Sequence, residues 1–255
     1  QGWNANEMDD NIAGGFFGGG HGTPVAGIVG AKGNNEVGVA GVNWDVKLMI
    51  VVGGGNEADA IAAYDYPLTQ RLRYNQTAGA EGAFVVATNA SWGIDFLSWE
   101  DAPIWCSFYD SLGAAGILNT GATINGNVDV DVVGDMPTSC PSEFMISVTN
   151  LKRTGDKEDE AGFGLTTIDL GSDTWTTGDN NSYNGFGGTS GATPHVSGAI
   201  ALLYSAPCQG FAVMAQTDPE AAALMVRESI LSSVVPNPSL EGITVTGGTL
   251  NLKNA

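Results

Sequence analysis

The stretch GGTSGATPHVSGAIALL, Gly187 to Leu203, decides the fold. It opens on paired glycines, passes through Ser190, and continues as small and apolar residues at helical spacing. A helix is therefore expected over Gly191 to Tyr204, starting immediately after the serine. Glycines on both sides of Ser190 permit a tight turn and a close approach of another backbone. A serine placed there sits at the positive end of the helix, which favours developing negative charge.

A second stretch, HGTPVAGIVGA (His21 to Ala31), is built the same way. It follows the glycine-rich run Gly14-Gly15-Phe16-Phe17-Gly18-Gly19-Gly20 and becomes a helix of small residues, Gly22 to Val29. His21 thus stands at the mouth of a helix N-terminus. A serine hydroxyl is a weak nucleophile and needs a base within hydrogen-bond reach. The chain has only 2 histidines, His21 and His195. His195 follows Pro194 inside the helix that Ser190 opens, so it points away from the hydroxyl and reads as a packed helix residue. His21 must reach Ser190 through the fold.

Working outward, short apolar runs alternate with longer periodic stretches. Strands are expected at Val46 to Val52, Ala83 to Thr88, Gly116 to Thr120, Phe144 to Thr149 and Leu165 to Leu170. Further helices are expected at Glu57 to Tyr74, Trp99 to Ala115 and Pro219 to Ser233. The first of these carries Glu57 and Asp59 early and Arg71 and Arg73 late, matching the helix dipole. This alternation predicts an α/β fold: a three-layer α/β/α sandwich around a mostly parallel sheet. Ligands of such sheets bind at the carboxyl ends of strands.

The 255 residues suffice for one large domain, and 43 % of them are apolar. No apolar run reaches the roughly 18 residues of a membrane span. The formal charge is −19, from 9 Lys+Arg against 28 Asp+Glu. Phosphate neutralisation needs Lys and Arg, so nucleic-acid binding is excluded as a function class. Cys106, Cys140 and Cys208 form no C-x-x-C pair, which gives no support to zinc. Cys106, in an apolar helical pattern, is expected as a buried free thiol, with one disulfide plus one free thiol as the alternative.

The two motifs together, HGTPVAGIVGAKGNNEVGVAGV and then GGTSGATPHVSGA, resemble the histidine and serine regions of the subtilase family of serine proteases (peptidase family S8). NASWG (Asn89 to Gly93) is similar to that family's substrate-binding strand. GILNTGATIN (Gly116 to Asn125) resembles the strand and loop that end in its oxyanion asparagine. FMISVTN and LTTIDLGSD resemble strands before the serine loop, and GGTLNLKNA the close of the catalytic domain. The resemblance covers residues 1–255. It implies a serine endopeptidase acting through an acyl-enzyme, with Ser190 as nucleophile, His21 as general base and Asn125 as side-chain oxyanion donor. It places Ser91, Trp92 and Gly93 along one wall of the peptide groove. Gly121, Ala122 and Thr123 would floor the pocket for the residue before the scissile bond. It further implies polypeptide substrates, a cleaved propeptide, secretion, a monomer and no catalytic cofactor.

Two features depart from the family pattern. Gly191 stands after the serine where well-known subtilases carry methionine, a change the backbone role tolerates. The family's catalytic aspartate ends a first strand that lies further upstream of the histidine than the 20 residues preceding His21 here. Asp9 and Asp10, in NEMDDNIAGG, resemble the polar loop just before the histidine motif and receive no triad role. The first strand is therefore expected to be missing, leaving a gap in the sheet. The chain is expected to be a catalytic domain incomplete at its N-terminus. A non-catalytic peptide-binding protein without the triad aspartate is the rival reading. The acidic run Asp129 to Asp135 reads as a solvated strand edge, with a structural Ca²⁺ site as the alternative.

Overall fold

The computed structural model describes residues 2–13, 20–164, 167–171 and 174–255, the side chains of 167–171 excepted. Gly14 to Gly19 of the glycine-rich run lie outside the described residues, as do Leu165 and Thr166 of the expected strand.

In chain order the elements are β1 (Gly2–Asn4), α1 (Gly22–Gly30), β2 (Ile50–Val52), α2 (Glu57–Gln76), β3 (Ala87–Ala90) and β4 (Ile94–Asp95). A 3₁₀ turn at Trp99–Asp101 leads into α3 (Pro103–Ala114), β5 (Leu118–Ala122), α4 (Val130–Val133), β6 (Asp135–Met136) and β7 (Met145–Leu151). Then come β8 (Thr167–Gly171), β9 (Thr174–Gly178), β10 (Ser182–Phe186), α5 (Thr189–Tyr204), α6 (Gln209–Thr217), α7 (Pro219–Ser232), β11 (Val235–Pro236) and β12 (Gly248–Thr249).

Six strands form the central sheet in the order β11-β12-β8-β7-β5-β3. Every neighbouring pair from β12 to β3 is parallel, and β11 pairs antiparallel with β12. β7 is buried at every position, as a strand covered on both faces must be. Its alternation divides the core. Ile146 and Val148 meet Ala192, Val196 and Ile200 of α5 and Val226 and Ile230 of α7. Met145 turns instead toward Tyr64 and Leu68 of α2 and Trp105, Tyr109 and Leu112 of α3. The result is the expected α/β/α sandwich.

The expected gap in the sheet is present. Among the described residues β1 and β2 form a separate parallel pair, and neither is hydrogen-bonded to the six-stranded sheet. Between the segments that enter β2 and β3 runs a groove of about 700 Å³, lined by Val42, Trp44, Val46, Phe84, Leu202 and Tyr204 among others. Trp44 and Phe84 remain exposed along it.

Several boundaries move. The strand expected at Ala83 to Thr88 forms at Ala87–Ala90, and the Val85 carbonyl before it accepts from Arg71 of α2. The helix expected from Trp99 is split before Pro103, whose ring cannot follow a helical residue and instead opens α3 at its first turn. Cys106 is not a free thiol. It is disulfide-bonded to Cys140, the two Cα atoms 5.2 Å apart, while Cys208 is free and exposed. Sequence periodicity put Cys106 on the buried face of α3 but could not show that Cys140 returns to that face. The acidic run is not a solvated strand edge throughout: Asp129 caps α4 by accepting the Asp131 N–H, and Asp135 is 1 % exposed.

Candidate active site

α5 begins at Thr189, two residues earlier than the sequence indicated, so Ser190 lies in its first turn. The residue before the helix, Gly188, has φ +69°. That left-handed conformation favours glycine, and a Cβ there would stand 2.9 Å from Asn125 Oδ1. The Asn125 carbonyl oxygen accepts the Thr189 N–H and the Thr189 hydroxyl, both at 3.2 Å. Thr189 Oγ1 also donates to Thr123 O. Asn125, beyond the end of β5, is thereby held to the residue that precedes Ser190 in α5, with the asparagine oxygen engaged and its NH₂ left as the donating end.

Ser190 Oγ donates to Ser91 O at 3.0 Å, and Ser91 Oγ donates to Ser190 O at 2.9 Å. Behind this pair lies a chain of hydroxyls and amides. Asn89 Nδ2 donates to Ser91 Oγ at 2.9 Å, Ser197 Oγ to Asn89 Oδ1 at 2.9 Å, and Ser197 Oγ meets Thr120 Oγ1 at 2.6 Å. Satisfied buried networks of this kind fix a unique geometry. Here the network ties β3, β5 and the third turn of α5 to the serine.

His21 occupies the N-cap of α1, and α1 packs against α5. Its ring meets Phe186 edge-on, with centroids 5.2 Å apart. The Phe186 carbonyl in turn lies 3.2 Å from the position of a Cβ on Gly191. The β9–β10 hairpin braces this end of α1, since Thr176 and Thr177 donate to the carbonyls of Pro24 and Thr23 at 3.0 and 2.8 Å. Asp179, at the hairpin turn, brings Oδ2 to 3.0 Å of where a Gly20 Cβ would stand. Burial, rather than a neighbouring charge, lowers the His21 pKa below the usual imidazole value. The lowered value favours the neutral ring, the form in which a histidine can accept a proton.

His195 lies apart from this arrangement. Its Nδ1 is 2.9 Å from Gly191 O and its Nε2 is 3.2 Å from Thr174 Oγ1, a packed helix histidine as expected.

Of the expected wall, Ser91 is buried, Trp92 packs on Trp105 with centroids 5.8 Å apart, and Gly93 is exposed. Gly93 needs its missing side chain, because a Cβ would come within 2.2 Å of Met136 O. Of the expected floor, Gly121 and Ala122 end β5, with Gly121 against Pro137 and Thr138. Thr123 Oγ1 donates to Val148 O and Gly162 O at 3.2 and 3.1 Å. Wall and floor are therefore joined through the segment Asp135 to Thr138, which sequence reading did not connect with the site. Asp135 Oδ2 accepts the Ile124 N–H at 2.9 Å and the Thr138 hydroxyl at 2.6 Å. Among the described residues no group of three or more His, Cys, Asp or Glu side chains gathers as a metal site.

A histidine and a serine at the starts of two packed helices, with an asparagine bonded to the threonine before the serine, make up this site. Residues 3–240 match the model of the subtilase family, Peptidase_S8. The chain belongs to the subtilase family. Subtilisin-like protease 1 of Plasmodium falciparum is 25 % identical over 277 aligned residues, covering 98 % of this chain and 35 % of that protein. An extracellular protease of Xanthomonas campestris pv. campestris is 29 % identical over 204 residues, covering 72 % of this chain and 32 % of that protein. This subtilase chain thus spans about a third of the length of these relatives. Among solved structures, the prenylagaramide maturation protease PagA superposes with a TM-score of 0.69 at 22 % identity, over 92 % of this chain and 80 % of the other. A cold-adapted subtilisin-like serine proteinase gives 0.64 at 20 % identity, over 98 % and 79 %. At such identities these likenesses speak for the subtilisin fold.

Proposed function

We propose that this subtilase domain is a serine endopeptidase that hydrolyses peptide bonds through an acyl-enzyme, with Ser190 as nucleophile and His21 as general base. The observation that carries the reading is the first turn of α5, where Ser190 bonds Ser91 and the adjacent Thr189 bonds Asn125. An extended peptide lies along Ser91 to Gly93. His21 takes the Ser190 proton as Oγ attacks the scissile carbonyl. The Asn125 NH₂ and the Ser190 N–H bind the oxyanion, helped by the positive end of α5. His21 then protonates the leaving amine, and water releases the acyl group.

The break between β2 and β3 supports a place for a further strand, the one in which subtilases carry the aspartate that orients the histidine. An aspartate of this kind is worth about 10⁴ in rate. The rival reading is a peptide-binding protein without that aspartate.

A fluorophosphonate probe together with peptide p-nitroanilide hydrolysis tests the proposal. Labelling and turnover that vanish in Ser190→Ala and His21→Ala are expected. A chain that binds peptides but neither labels nor cleaves, even when expressed with its upstream coding sequence, would establish the peptide-binding reading instead.

A further inference from the structure

Asp135 is a buried acid without a cation. It is 1 % exposed, and among the described residues no Lys, Arg or His pairs with it. Its two oxygens are used unequally. Oδ2 accepts both available hydrogen bonds, from Ile124 N and Thr138 Oγ1. Oδ1 accepts none among the described residues. A carboxylate buried to this degree is costly to keep charged unless a cation or further donors meet it.

Its position says where the missing cation would come from. Ile124, whose N–H it holds, lies between Thr123 of the pocket floor and Asn125. Asp135 itself pairs with Asp95 across β4 and β6, and Gly93 of the wall sits on the Met136 carbonyl. Pro137 and Thr138 back Gly121. Asp135 therefore lies where wall and floor meet, with the exposed Asp95 carboxylate adding a second negative charge near it. Burial raises the Asp135 pKa to about 7, the direction expected of an acid awaiting a counter-charge.

We propose that Asp135 determines specificity in the pocket for the substrate residue before the scissile bond, selecting lysine or arginine there. The proposal rests on the endopeptidase reading for its substrate register. Its ammonium or guanidinium group donates to Oδ1 and supplies the counter-charge that the chain does not. The net charge of −19 acts in the same sense at longer range, concentrating cationic peptides near the surface.

The test uses peptide p-nitroanilides that differ only in lysine or norleucine before the scissile bond, side chains of similar length and opposite demand. The lysine substrate should show kcat/KM about tenfold or more above norleucine, the lower range for a close charge pair. In Asp135→Asn, folded by circular dichroism, that ratio should fall to unity or below. In Asp95→Asn, an exposed change that leaves the core intact, it should fall in part. A norleucine preference in the parent, or an unchanged ratio in Asp135→Asn, overturns the proposal. If Asp135→Asn does not fold, an unchanged ratio in Asp95→Asn does so. If the chain neither labels nor cleaves, the endopeptidase reading fails, and calorimetric binding of peptides ending in lysine or norleucine decides the pocket. Tighter lysine binding that is lost in the variant upholds it, and equal or absent binding overturns it.

Discussion

Ser91 and Ser190 exchange hydrogen bonds: each hydroxyl donates to the other's carbonyl, at 3.0 Å from Ser190 and 2.9 Å from Ser91. The pair locks the end of β3 to the first turn of α5. It also gives the proposed nucleophile a resting partner that a peptide carbonyl and His21 must displace. Ser91→Ala removes one bond of the pair and the acceptor of Asn89 Nδ2. A loss of about 1 kcal/mol in stability is expected. A fall of about threefold to tenfold in kcat/KM is expected with it, as the serine gains freedom. Urea melts and peptide hydrolysis measure the two effects.

Asn125 holds Thr189 through Oδ1, and its NH₂ is the proposed oxyanion donor. Asn125→Ala should lower kcat by about 10²–10³ with little change in KM, the magnitude that subtilisin itself shows for this kind of donor. Asn125→Asp keeps the acceptor and removes the donor. It should restore the stability lost in the alanine variant without restoring the rate.

The Cys106–Cys140 disulfide closes a loop with a sequence separation of 34 that contains β5, Asn125 and Asp135. Loop-closure entropy over that length corresponds to about 3–4 kcal/mol. The Cys106→Ala/Cys140→Ala double variant should be destabilised by that amount in denaturant melts. The parent should respond to reductant in the same direction.

Acid–base linkage gives Asp135 a second signature. Folding raises its pKa from 3.8 to about 7, so the fold favours the protonated form. That contribution is fully present below the unfolded value and is lost as pH rises through about 7. Asp135→Asn, neutral throughout, should lose less stability than the parent between about pH 4 and about pH 8. His21 and His195 are lowered by burial, so their contribution runs the other way, lost as pH falls below the usual imidazole value. They are common to both proteins and cancel in the difference. Urea melts of parent and variant at several pH values measure it.

Much of this arrangement is local enough to read along the chain. The runs at His21 and Ser190 declare two helix starts, because small residues and glycines leave few alternatives to a tight turn entering a closely packed helix. The largely apolar FMISV declares a strand covered on both sides, and the alternation of strands and helices declares parallel pairing. Elements with weaker periodicity were not legible. The β9–β10 hairpin is largely exposed, so its sequence carries no buried stripe, although it braces α1 beneath His21.

What the sequence alone determined is the layered α/β architecture, the two helix N-termini and the chemical identities of Ser190, His21 and Asn125. Tertiary structure alone decided which residues stand around them. Cys106 meets Cys140, Ser91 meets Ser190 across a sequence separation of 99, and Asp135 leaves an acidic run to bond Ile124 beside Asn125. The physical reason is one of range. Helix and strand periodicity is set by neighbours a few residues apart. The burial of a carboxylate, by contrast, is set by which distant segments pack over it, and no local pattern in DVDVVGD distinguishes the residue that turns inward from those that stay in water.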